Sequence, residues 1–239
     1  MEDKNKTDID VGKRTVRLWD LPVRLFHWAL VAAVVTAWWS NQEVMINIHE
    51  IAGYSVLALV IFRVIWGLVG SSNARFASFL RGPRSVIAYL RKLPKGTEDD
   101  LACAGHNPAG GWMVMVLLLL AGIQAFSGLF TSEDTFLFFD GPLVKYASPE
   151  FAGVMNWVHH TNINLIYIAV GLHVVAAIFY LMIKRENLII PMITGTRDVP
   201  AGIAARFDGL RFKPAIWGIA LMAVCGAGVW IVMALARAG

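Results

Sequence analysis

The chain has 239 residues, 57% of them hydrophobic and 16% charged, a balance that excludes an ordinary soluble domain and marks an integral membrane protein. The formal net charge of +4 and pI near 9.2 raise the question of nucleic acid, but the basic residues are shared among the segments between apolar runs. That distribution excludes nucleic-acid binding and makes the basic pI a matter of membrane topology.

Residues 1–22 are polar and charged, contain nothing resembling a cleavable signal peptide, and read as a cytoplasmic N-terminal segment. Five apolar runs follow, near 23–42, 49–69, 111–131, 157–182 and 214–236. Each is long enough to cross a hydrocarbon core of about 30 Å at about 1.5 Å per residue. The first two are joined by a very short connection, and the third and fourth by about 25 residues rich in Asp, Glu, Gly and Pro. Residues 70–110 and 183–213 form longer basic loops, the first containing the amphipathic stretch RFASFLRGPRSVIAYLRKL (Arg75 to Leu93), which suits the inner membrane surface. Cys103 in a polar loop and Cys225 in an apolar run suggest no disulfide framework.

Charge placement predicts orientation. Six Lys and Arg precede or open the first run (Lys4, Lys6, Lys13, Arg14, Arg17, Arg24), six lie between the second and third, and six between the fourth and fifth. Only Lys145 and Arg237 fall on the other side, so the N-terminus is predicted to be cytoplasmic. The external side carries Glu43, Glu50, Glu133, Asp134, Asp140 and Glu150 in or beside its loops.

Six histidines punctuate this frame: His27, His49, His106, His159, His160 and His173. A titratable group in an apolar span is expected to face a cavity, a partner or a metal. Topology places His27 near the inner face, His49 and His159 or His160 near the outer face, and His173 about 20 Å deeper than His159 by helical rise. Fourteen helical steps leave His159 and His173 about 40° apart, whereas thirteen steps leave His160 and His173 about 140° apart. His49 is therefore paired with His159 outside and His27 with His173 inside. Two stacked bis-histidine layers are what two haem irons in a helical bundle require. A zinc or di-iron site would instead bring its ligands to one depth, often with carboxylates. No Cys-x-x-Cys-His occurs, so the two haems would be b-type and non-covalent. Arg63 sits fourteen residues after His49, one layer down on the same face, and is read as the partner of an inner haem propionate, with snorkelling toward the cytoplasm the competing account. Gly53 and Gly67 follow His49 and Arg63 by four residues and are read as leaving room for a flat macrocycle. His106 and His160 read as structural or surface residues, and Gln124 and Ser127 as interhelical hydrogen-bond partners.

The segments VRLWDLPVRLFHW (Val16 to Trp28), IHEIAGYSVLALVIFRVIWGLVGS (Ile48 to Ser71), GHNPAGGWMV (Gly105 to Val114), DGPL (Asp140 to Leu143), the frame of His159, Asn164 and His173, and RENLIIPMITG (Arg185 to Gly195) together resemble the bacterial cytochrome b561 family. That family includes the cytochrome b subunits of nickel-iron hydrogenases. One departure is His160, where relatives often carry an acidic residue. The resemblance implies an all-α integral membrane protein of the bacterial inner membrane, with a four-helix haem-binding bundle over 23–182, to which the apolar run at 214–236 adds a fifth transmembrane helix. It implies His27, His49, His159 and His173 as axial ligands of two b haems, and a quinone site close to one haem, with Arg24, His106 and Asn107 nearby to assist proton exchange.

The function expected is electron transfer between the quinone pool and a periplasmic redox protein, such as a c-type cytochrome or a hydrogenase. The acidic external side would steer a basic partner. A stand-alone superoxide:quinone oxidoreductase and a membrane anchor with structural haems are the alternatives. An electron-transfer subunit is thus weighed above an enzyme acting alone.

Overall fold

The computed structural model describes residues 12–92, 105–133 and 139–238. In chain order its elements are β1 (Lys13–Arg17), α1 (Leu21–Gln42), α2 (Ile46–Val69), α3 (Phe76–Phe79), α4 (Pro83–Lys92), α5 (Pro108–Gly128), β2 (Ser132–Glu133), β3 (Phe139–Asp140), α6 (Pro149–Met182), α7 (Ile189–Thr194), β4 (Thr196–Pro200), α8 (Ala201–Ala204) and α9 (Ala215–Ala238). Helices α1, α2, α5, α6 and α9 are long and apolar enough to cross a membrane, matching the five runs expected. Lys4, Lys6, Leu93, Cys103 and Asp134 lie outside the described residues.

Three of the long helices begin by the same chemistry. Asp20, Asn107 and Ser148 each accept a backbone N–H of the first turn, from Val23, Gly110 and Phe151, and each helix carries proline in its first two positions. The Ser148–Pro149 start lengthens α6 by two turns beyond the apolar run, because capping rather than hydropathy decides where a helix begins. The turn between α1 and α2 is so tight that Val44 adopts φ +57°, and Met45 N–H reaches back to Ser40 O at 2.8 Å. A β-branched residue is disfavoured there. Val44→Asn is expected to stabilise the protein by about 1 kcal/mol, read as a raised midpoint of thermal unfolding in detergent.

Helix α2 is the hub, packing against α1, α5 and α9, while α6 lies along α5. One end of the bundle is basic, carrying β1, the α2–α5 connection and the α6–α9 connection. Ahead of α1, β1 pairs antiparallel with β4, from Lys13 opposite Pro200 to Arg17 opposite Thr196. Val16 and Val199 are buried beneath this ribbon with Leu18, Trp19 and Phe207. Gly195, at φ +85°, ends α7, and its carbonyl accepts Leu18 N–H at 2.8 Å and Trp19 N–H at 3.1 Å. A side chain at 195 would meet Trp19 O at 2.9 Å and Arg24 at 3.1 Å, so glycine is required.

The stretch from Arg75 breaks into α3 and α4 at Leu80 to Gly82. Phe76 and Phe79 turn into the bundle, whereas Ile87 and Leu90 of α4 stay exposed, as a surface-lying amphipathic helix requires.

Candidate functional site

Two layers of imidazoles occupy the bundle. Toward the end opposite the basic one, His49 of α2 and His159 of α6 have ring centroids 6.3 Å apart and planes at 82°. Two imidazole–metal bonds of about 2 Å each, added to the two ring radii, come to roughly this separation. Both rings are held from behind. His49 Nδ1 lies 2.8 Å from Ala37 O, and His159 Nδ1 lies 3.0 Å from Gln124 O and 3.3 Å from Ser127 Oγ. A proton on Nδ1 satisfies each carbonyl and leaves the Nε2 lone pair as the coordinating position.

Around His159 the support continues through α5. Its Nε2 lies 3.2 Å from the Gln124 amide nitrogen, and Asn162 Nδ2 donates to Gln124 Oε1 at 2.8 Å and to Leu120 O at 3.0 Å. Gly128 lets the ring approach α5, since a Cβ there would stand 2.9 Å from His159 Cε1. The reading of Gln124 and Ser127 as interhelical partners is thereby extended: their common partner is His159. Asn162 escaped the sequence reading, although its position three residues after His159 was the available signal. Asn164, a position of the family frame, is exposed and bonds back to His160 O at 3.3 Å within its own helix. His160 is also exposed, with Nδ1 2.9 Å from Asn156 O. Partners of this kind contribute roughly 10-fold to 100-fold to metal affinity. Ser127→Ala, which removes the hydroxyl 3.3 Å from His159 Nδ1, is expected to weaken retention of a metal group at the His49–His159 layer by about 10-fold, measured by competition with apo-myoglobin.

Toward the basic end, His27 of α1 and His173 of α6 are electrostatic neighbours. His27 stands edge-on to Trp28, ring centroids 5.0 Å apart, and its Nδ1 is buried without a hydrogen-bond partner. Arg63 and His106 belong to the same neighbourhood. Arg63 is 2% exposed, donates to Ala74 O at 3.0 Å and lies 4.8 Å over the Phe76 ring. Among the described residues it has no carboxylate within ion-pair distance, although Asp20 acts on it from farther away. Gly67 does not open space beside it, because the Phe76 ring packs where a side chain at 67 would be. Gly53, one turn after His49, and Gly171, two residues before His173, have no atom within 4 Å of a Cβ position.

His106 is buried between Trp19 and Phe79, at 4.8 Å and 4.7 Å, its Nδ1 without a partner. Burial, aided by the charges of Arg63, His173 and His27, pushes its pKa down to about 3, so it is neutral at physiological pH. Asn107 caps α5 and donates to Tyr180 OH at 2.9 Å, and Tyr180 OH in turn bonds Tyr89 OH of α4. Arg24 donates to Ile193 O, and Trp28 Nε1 donates to Met192 O at 3.0 Å. The three residues considered for proton exchange therefore also hold the basic end together.

Glu50 changes the electrostatic reading of the opposite end. It is buried and pairs with Arg237 of α9, so it does not add to the acidic surface there. Glu43, Asp140 and Glu150 are exposed.

No cluster of three or more His, Cys, Asp or Glu fit to hold a bare ion occurs among the described residues. The donor set is instead two pairs of imidazoles with a buried arginine beside one pair, which fits a metal carried in an anionic macrocycle.

Comparison with known proteins agrees. The sequence model described as prokaryotic cytochrome b561 matches residues 18–195. A probable Ni/Fe-hydrogenase B-type cytochrome subunit of Bradyrhizobium diazoefficiens is 23% identical over 220 residues, spanning 79% of this chain and 88% of that protein. A probable superoxide oxidase CybB of Yersinia pestis is 23% identical over 183 residues, spanning 72% of this chain and 93% of that protein. No solved structure matches the chain significantly.

Proposed function

The chain belongs to the prokaryotic cytochrome b561 family of membrane electron-transfer proteins that carry b-type haem, and from that premise we propose that it holds two haems and passes electrons between membrane quinone and a redox protein outside the cytoplasm. In this reading His49 and His159 hold the outer haem, His27 and His173 the inner one, and Arg63 meets an inner propionate. The basic end faces the cytoplasm of a bacterial inner membrane. The observation that carries the proposal is the paired arrangement of imidazoles at two depths, its outer pair 6.3 Å apart with each Nδ1 at a backbone carbonyl.

Bound haem supplies one-electron oxidation and reduction at its iron. The chain's residues do the remainder. The backbone carbonyls of Ala37 and Gln124 keep the outer imidazoles in one tautomer, and α1, α2 and α6 hold the two layers at fixed depths. Burial of Arg63 strengthens its attraction for an anion. The test is made on purified protein in liposomes with a quinol. Rapid appearance of reduced b-haem spectra, reversed by added quinone, is expected, and haem-loaded protein that exchanges no electrons with either would sink the proposal.

The external partner is read as a protein with a basic docking patch, a c-type cytochrome or a hydrogenase, meeting exposed Glu43, Asp140 and Glu150. Binding of a basic c-type cytochrome is expected to weaken several-fold as salt rises toward 1 M, where the Debye length is only about 3 Å. Calorimetry that finds salt-independent affinity would exclude this docking mode.

Similarity to a probable superoxide oxidase supports a second reading, a stand-alone superoxide:quinone oxidoreductase. Neutralisation of Glu50 by Arg237 lessens the repulsion of an anion there. Superoxide generated outside the liposomes separates the two readings, since only the second expects it to reduce the haems directly.

A further inference from the structure

Helix α9 lies wholly beyond residue 195, where the family match ends, yet it reaches the outer histidine layer. Its last turn brings Arg237 to Glu50, the residue immediately after His49. Arg237 Nη2 also donates to Tyr54 OH at 3.1 Å, and Tyr54 OH donates to Glu50 Oε1 at 3.3 Å. Glu50 is 8% exposed and Tyr54 also 8%, so both partners of the guanidinium belong to the interior. Around them Val229 and Met233 of α9 pack with Tyr54, Ala58 and Leu129 in a small core of their own, and Trp230 stands edge-on to Tyr54 at 6.4 Å. Here α9 is thus joined to α2 by an ion pair, a hydrogen bond and a packed patch.

We propose that Glu50 and Arg237 are positioning residues of the outer electron-carrying site, setting the local charge beside His49 and so the outer haem's potential. The inference rests on the two-haem reading above. The carboxylate and guanidinium, held together by Tyr54, nearly cancel at the first turn of α2. In a low-dielectric interior an uncompensated unit charge is felt across a helix width. An unpaired carboxylate favours the oxidised, more positive iron and lowers its potential. An unpaired guanidinium does the reverse. Helix α9 would then be part of the outer site's electrostatics and not an added anchor alone.

The experiment is a spectroscopic redox titration at pH 8 of purified, haem-loaded wild type, Glu50→Gln, Arg237→Gln and the double variant. Glu50→Gln nearly preserves shape, and Arg237 lies at a half-exposed helix end, so either single variant keeps the test available if the other fails to fold. One of the two haem components is expected to shift upward in Glu50→Gln and downward in Arg237→Gln. It should return toward the wild-type value in the double variant, and the other component should stay in place. Unmoved components, equal movement of both, or movement in the same direction in the two single variants would overturn the proposal while leaving the two-haem reading intact. A wild type that binds no haem would overturn the two-haem reading itself.

Discussion

His49→Ala and His159→Ala are each expected to retain one b haem per chain where the wild type retains two, and His27→Ala and His173→Ala to lose the other one. The expectation follows from the layers. His49 and His159 are ring neighbours on α2 and α6, with their Nδ1 atoms at backbone carbonyls, so a metal would take each Nε2, at His159 in place of the Gln124 amide that lies 3.2 Å from it. His27 and His173, on α1 and α6, lie toward the basic end and act on one another electrostatically. Removing one imidazole leaves the metal of that layer with a single protein ligand and the other layer untouched. The control is His160→Ala. Its ring is exposed and bonded within its own helix, so both haems should remain. Pyridine haemochrome quantification with reduced-minus-oxidised spectra reads all five variants. Full haem content in the four ligand variants would mean that the histidine frame serves another purpose.

Asp20→Ala is expected to cost about 2–4 kcal/mol of stability. The Asp20 carboxylate is 2% exposed, accepts Val23 N–H at 2.9 Å as the cap of α1, and accepts Trp66 Nε1–H at 3.0 Å from the far end of α2. Its charge also acts on buried Arg63. Alanine removes all three interactions and leaves two buried donors unpaired, each costing about 1–3 kcal/mol. Val23 N–H and Trp66 Nε1–H bond different oxygens of Asp20, so Asp20→Asn keeps an acceptor for one of them and sets its amide NH2 against the other, and should recover only part of the loss. Thermal unfolding in detergent measures both variants. A midpoint for Asp20→Ala equal to that of the wild type would show that water or lipid headgroups replace the carboxylate.

Some of this was legible in one dimension because the bilayer imposes a one-dimensional rule: every spanning segment must be apolar and helical over about 20 residues. That rule made the five spans readable, and the fourteen-residue spacing of His159 and His173 made their shared face readable. Pairings between distant segments were not. The ribbon of β1 and β4 joins residues some 180 positions apart through main-chain hydrogen bonds, and its sequences carry only Val16 and Val199 as buried apolar anchors. Likewise Glu50 read as one more external acid, since nothing local to it announces that Arg237 will arrive from the last turn of the chain.

The sequence by itself determined the membrane class, the span count and the shared face of His159 and His173, because hydropathy and helical periodicity act along the chain. Only the tertiary structure decided which groups hold those histidines, that Phe76 fills the place beside Gly67, and that Glu50 is buried and paired. Those outcomes depend on which helix faces meet, and packing between helices in a membrane is set by shape and by interhelical hydrogen bonds rather than by any periodic signal in the sequence.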